Sequence, residues 1–155
     1  MRKKGIIIGF LLLFGAFQVF PVATLNSVSF YRQKAVNNTT WGGYPPVATY
    51  TSTLTVQFKV YNSGPAHTAY LKYTTTDWAT HAVQKAVFQY HAAGGYEVWE
   101  AVVTVGGNWA TFDYVIGADD HLAVNDILTR YYNNNGNGCR IQATASTTWN
   151  YSPRP

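Results

Sequence analysis

Thr53-Leu54-Thr55-Val56-Gln57-Phe58-Lys59-Val60-Tyr61 decides the fold. Leu54, Val56, Phe58 and Val60 alternate with Thr55, Gln57, Lys59 and Tyr61, a period of two that makes a strand with one apolar face. Asn62-Ser63-Gly64-Pro65 ends it. The alternation recurs downstream. The stretch from about His67 to Thr75 turns Ala69, Leu71 and Tyr73 inward and leaves Tyr70 and Lys72 outside. Ala82 to His91 is a third strand, closed by Gly94-Gly95. From Tyr96 to Val105, Trp99, Ala101, Val103 and Val105 face in, and Val98, Glu100, Val102 and Thr104 face out. Trp109 to Ile116 returns from a Gly106-Gly107-Asn108 turn as a hairpin. Ile127 to Tyr132 and Cys139 to Ala145 complete the set around the loop from Asn133 to Gly138. Only Asp120 to Leu128 has room for a short helix. Strands at this spacing, without helices between them, predict an all-β antiparallel sandwich. Its core includes Leu54, Val56, Phe58, Val60, Leu71, Trp99 and Val103. Asn37 to Thr51 is polar, contains Pro45-Pro46 and has no clean period; it reads as a loop or irregular edge.

Upstream, Met1-Arg2-Lys3-Lys4 precedes an apolar run from Gly5 to Val19 broken only by Gln18, then Phe20-Pro21 and the small residue Ala23. The run is short for a membrane span and reads as a secretory signal peptide over residues 1–23, an uncleaved anchor being the rival reading. This places the domain outside the cell. The organisation is then a signal at 1–23, an N-terminal edge segment of uncertain structure at 24–52, the sandwich at 53–146 and a C-terminal tail at 147–155.

Removing the leader leaves 132 of the 155 residues, enough for one core. Three of the eleven basic residues sit in that leader, leaving eight against seven acids. So near-neutral a domain has no basic stripe for a phosphate backbone, and the reading excludes nucleic acid and any membrane role beyond secretion. Aromatic residues make up 16% of the chain, which together with the regular alternation excludes disorder. Cys139 is the only cysteine, so there is no disulfide framework; it reads as a quiet buried thiol.

The acids offer no catalytic pair. A glycosidase needs two carboxylates about 5–9.5 Å apart. Glu97 and Glu100 are separated by an odd number of positions and point to opposite faces of a strand; Asp119 and Asp120 share a loop. The chain reads as a non-enzyme. His67, His81, His91 and His121 lack paired ligand spacing, and Asp119, Asp120, His121, Asn125 and Asp126 lack the order of a calcium loop. Neither a metal nor a cofactor is expected.

Two places suit binding. Trp78 stands beside Asp77 in a polar turn; it is either a ligand platform or a lid folded back on the core. Tyr131-Tyr132-Asn133-Asn134-Asn135-Gly136-Asn137-Gly138 puts two tyrosines, one of which must face outward, before an uncharged amide-rich loop. Asparagine and glycine also dominate plain turns. Aromatic planes beside neutral amides suit a sugar, whose ring face stacks while its hydroxyls bond the amides. Covering on the order of 80 Å² of apolar area is worth about 2 kcal/mol.

Val60-Tyr61-Asn62, then Ala69-Tyr70-Leu71-Lys72-Tyr73-Thr74-Thr75-Thr76-Asp77-Trp78, then Tyr96-Glu97-Val98-Trp99, and finally Tyr131-Tyr132-Asn133-Asn134-Asn135-Gly136 fall in an order that resembles the starch-binding family-21 carbohydrate-binding modules. The resemblance runs from about Leu54 to Ile141. It implies an immunoglobulin-like β-sandwich, no catalysis, and binding of an α-glucan such as starch or glycogen. It carries the stacking tryptophan onto Trp78, the loop tyrosine onto Tyr132, and the loop amides onto Asn134 and Asn135. Asn133 stands where the family has aspartate, Cys139-Arg140 replaces an Asn-Tyr pair, and the family's second stacking tyrosine is replaced near Asp113. The partner implied is a polysaccharide, with a secreted glycoside hydrolase as the customary companion. The candidate site is Trp78, Asp77, Tyr131, Tyr132, Asn133, Asn134 and Asn135. Two rival functions are a secreted protein–protein interaction domain and a small secreted enzyme.

Overall fold

The computed structural model describes residues 28–61, 67–123 and 126–154, with the side chains of 67 and 119–131 left aside. The leader at 1–23 and the Asn62-Ser63-Gly64-Pro65 turn lie outside the described residues. Nine strands are described: β1 (Val28–Gly42), β2 (Val47–Tyr61), β3 (His67–Thr74), β4 (Ala82–Lys85), β5 (Val87–Ala92), β6 (Tyr96–Gly106), β7 (Thr111–Ala123), β8 (Asp126–Tyr132) and β9 (Cys139–Gln142). They form two antiparallel sheets, ordered β1-β2-β6-β5 and β4-β3-β7-β8. β3 occupies one side of β7; β8 and then β9 occupy the other. The two sheets enclose one core, the immunoglobulin-like sandwich that the sequence predicts.

The period-two reading sets the register. Leu54 pairs with Val103, Val56 with Ala101 and Phe58 with Trp99, all on the core side. In the facing sheet Leu71 pairs with Ile116 and Tyr73 with Tyr114. Leu54, Val56, Phe58, Val60, Leu71 and Val103 are buried, and Trp99 packs partly buried against them. Each such burial is worth about 1.5–3 kcal/mol. A slip of one residue would turn all of them outward.

Four segments differ from the local reading. Ala82 to His91 is two strands rather than one: β4 ends at Lys85 in one sheet and β5 begins at Val87 in the other. The chain changes sheet at buried Ala86, whose N–H donates to Ala69 O at 2.8 Å. Asn37 to Thr51 is strand through most of its length, with the β1–β2 ladder continuing to Gly42 opposite Val47. Among the described residues no third strand pairs with it beyond Thr51, and the side chains of 38–47 are exposed, so no apolar period is needed. The helix considered for Asp120 to Leu128 gives way to the β7–β8 ladder, which pairs Asp120 with Leu128 and Ala123 with Asp126. Val98 lies on the outward alternation yet is buried, between Lys59 and Tyr90 of the neighbouring strands.

After Gln142 the chain leaves the sheet and runs along the free edge of β1. Thr144 N donates to Ala35 O at 3.0 Å, Asn37 N to Thr144 O at 2.8 Å, and Gln33 and Asn150 exchange backbone bonds of 2.8 and 2.7 Å. An uncovered edge would be a template for another chain; the tail pairs it.

Candidate functional site

β3 ends at Thr74, and its loop turns on threonine hydroxyls. Thr76 N donates to Thr74 Oγ1 at 3.0 Å, Thr80 N to Thr76 Oγ1 at 3.2 Å, and Ala79 N to Thr76 O at 3.0 Å. The turn holds Asp77 at φ +48° and Trp78 at φ +66°. A left-handed backbone is unfavourable by about 1–2 kcal/mol for a residue with a Cβ, and rare for one this large. Trp78 stands 41% exposed on it.

Arg140 fixes this turn. It is the register partner of Asp113 across β9 and β7, and grips that carboxylate with Nε to Oδ1 and Nη2 to Oδ2, both at 2.8 Å. Its Nη2 also donates to Asp77 Oδ1 at 3.0 Å. The bidentate arm, on a largely buried aspartate, supplies direction as well as energy. The Asp77 arm is solvent-exposed and worth little stability, but it ties the Trp78 turn to β9.

The asparagine loop closes two residues before Arg140. Asn134 and Asn135 take φ of +52° and +55°, Gly136 and Gly138 +87° and +68°. Gly138 N donates to Asn133 O at 2.8 Å, Gly136 N to Asn133 Oδ1 at 3.1 Å, and Asn134 Nδ2 to Gly138 O at 3.2 Å. Two of the amides thus build the turn, and asparagine suits its left-handed positions. Asn135 projects into solvent. Tyr132 pairs with buried Ile116 and packs partly buried against the core. Burial, then the nearby Cys139, push its hydroxyl pKa up. Tyr131 takes the adjacent register position opposite Gly117; its side chain lies outside the described residues. The fold therefore brings Asp77, Trp78 and the start of β9 together through Arg140, while Tyr132 gives part of its ring to the core.

Glu97 and Glu100 take opposite faces. Glu97 is buried, accepts Trp99 Nε1 at 3.0 Å and lies 3.7 Å from His91 Nδ1. Glu100 faces out and accepts Gln57 Nε2 at 2.7 Å. Among the described residues no group of three or more His, Cys, Asp or Glu is placed to hold a metal. The side chains of Asp119, Asp120, His121, Asn125 and Asp126 lie outside the described residues.

Exposed rings also lie outside the expected site: Tyr44, Phe88, Tyr90 and Tyr151, and, at one end of the molecule, Trp41, Tyr50 and Trp109. The signal of the last three was present: residues 35–58 carry no charge yet include Trp41 and Tyr50, and Trp109 follows Gly106-Gly107-Asn108.

No family model matches the chain, and no curated protein matches it. Among the solved structures that match is the solution structure of the carbohydrate binding module of the muscle glycogen-targeting subunit of Protein Phosphatase-1, with a TM-score of 0.42 and 19% identity over 71% of this chain and 75% of that one. What this chain binds is decided by its own residues.

Proposed function

We propose that this chain is a non-catalytic carbohydrate-binding module, secreted by its N-terminal leader, with an α-glucan as its ligand. The observation that carries the reading is Trp78, exposed on a left-handed backbone and tied by Asp77 to Arg140. Holding a large ring outward against its backbone preference is the kind of local strain that clusters at binding sites. The ring face covers the apolar face of a pyranose, and Asn135 offers an amide to its hydroxyls. Glu97 inside and Glu100 outside cannot flank one glycosidic bond. A ring and a few amides bury little area, so affinity should fall between about 1 mM and 1 μM, or about −4 to −8 kcal/mol.

The test is Trp78→Ala, titrated with glycogen and starch oligosaccharides while its melting is recorded. Loss of about 1–2 kcal/mol of binding, roughly 5–30-fold, with melting preserved is expected. Unchanged binding removes Trp78 from the site, and a loss of about 3–5 kcal/mol of stability makes the ring a core lid. N-terminal sequencing of protein recovered from the medium tests the leader.

A further inference from the structure

We propose a second glycan-stacking surface, built by Trp41 and Tyr50 on the β1–β2 hairpin with Trp109 on the β6–β7 loop. The proposal shares the carbohydrate reading but does not depend on Trp78. The β2–β6 ladder ends at Thr51 opposite Gly106, so the hairpin from Thr39 to Tyr50 projects as a free ribbon. Thr39 pairs with Tyr50 and Trp41 with Ala48, which places both rings on one face as diagonal neighbours about 7–8 Å apart along the backbone. That face continues the core-facing side of Ala35–Leu54 and Asn37–Ser52 past the end of the facing sheet. Trp41 and Tyr50 are 67% and 43% exposed.

Trp109 is clamped to the same face. Its N–H donates to Asn37 Oδ1 at 2.9 Å, Gly107 N to Tyr50 O at 3.0 Å, and Ser52 Oγ to Gly107 O at 3.1 Å. It too is held left-handed, at φ +57°, and stands 51% exposed. Trp78 and Trp109 thus share an unusual backbone state. They also share an end of the molecule: β3 leaves its sheet beside Asp113, and the 107–110 loop enters β7 at Thr111.

The chemistry around the rings selects a neutral polyhydroxyl ligand. Residues 35–58, 101–112 and 141–153 carry no charge, and at this end Arg140 donates to both Asp77 and Asp113. Where Thr144 bonds Ala35 and Asn37 at the hairpin base, a largely apolar groove of about 330 Å³ opens over Ala35 and Ile141, rimmed by Gln142, Thr144, Ser146, Thr148 and Asn150. Hydroxyls and amides beside exposed rings are the complement of a sugar chain. Two such stations at one end let a long chain bind at both, with the avidity that tethering brings.

The experiment titrates wild type, Trp41→Ala/Tyr50→Ala and Trp78→Ala with maltoheptaose, cellohexaose and xylohexaose, then with glycogen and the polymers of the other two sugars. Wild type should take two oligosaccharides per chain and each variant one. The hairpin variant should melt like wild type and lose polymer affinity by about tenfold or more, and Trp41→Phe/Tyr50→Phe should restore much of it. A hairpin variant with wild-type stoichiometry and polymer affinity overturns the proposal and leaves Trp78 standing. If Trp78→Ala binds as wild type does while the hairpin variant binds nothing, the Trp78 reading fails and the hairpin site stands. Wild type that binds none of the sugars overturns both. Binding to phosphatidylcholine vesicles that the hairpin variant loses, without sugar binding, would make the surface a lipid contact and overturn the proposal.

Discussion

Trp78 and Trp109 pay in backbone energy for the direction of their rings, and a glycine would release it. Trp78→Gly should keep or raise the melting temperature, because glycine takes a positive φ without strain, while it loses sugar binding as Trp78→Ala does. Melting well below wild type would show that the ring supports the fold. Cys139 lies at the other extreme, fully buried. Burial pushes its thiol from the ordinary 9.0 up to about 12. The unfolded chain ionises first, so the buried thiol's contribution is complete below about pH 9 and is lost as pH rises towards about 12. The slope is at most about 1.4 kcal/mol per pH unit. Cys139→Ala should flatten the alkaline arm of the stability profile, and urea midpoints across that window check it. Parallel wild-type and variant profiles would refute the assignment.

At the scale of elements, a buried polar link joins β1, β7 and the tail. Gln33 is fully buried; its Oε1 accepts Tyr114 Oη at 2.7 Å, and its Nε2 donates to Ser152 O. Tyr114→Phe leaves the Gln33 carbonyl short of a donor and should be destabilising by about 1–3 kcal/mol. Gln33→Met with Tyr114→Phe should lose less than the two single changes together, because an unpaired buried group is worse than an absent pair. Additive losses in urea unfolding would rule the link out. Strands were legible wherever one face is packed: the core-facing residues of β2, β3 and β6 follow their alternation, although Thr55, Gln57 and Val98 on the outward side are buried as well. The far half of the β1–β2 hairpin was not, because a ribbon with two open faces has no apolar face to announce it. The Trp78 turn was legible as a polar turn bearing a ring. Its tie to Arg140 was not, since that arginine lies 63 positions away.

Over the whole molecule, the tail closes the sandwich. Trp149 lies under the Arg32 and Lys34 cations, 4.3 and 4.7 Å from its ring. Pro153 O accepts Arg140 N at 3.0 Å, so the tail also steadies the strand that holds Asp77. Ending the chain after Ala145 strips these contacts and bares the β1 edge at Gln33, leaving only the Thr144 bonds to Ala35 and Asn37. Such a protein should melt markedly lower and self-associate, as calorimetry and light scattering would show; a stable monomer would contradict the role. The sequence alone determined the strand alternation, the apolar set that faces the core, the opposed faces of Glu97 and Glu100, and the uncharged stretch from 35 to 58. Each is a property of a single segment or of composition, and side chains alternate along a strand whatever it pairs with. Only the tertiary structure decided the change of sheet at Ala86, the length of the aromatic hairpin, the docking of the tail, and the meeting of Asp77, Asp113 and Arg140. Those depend on which strands become neighbours, and pairing between residues far apart in the chain leaves no period in either partner.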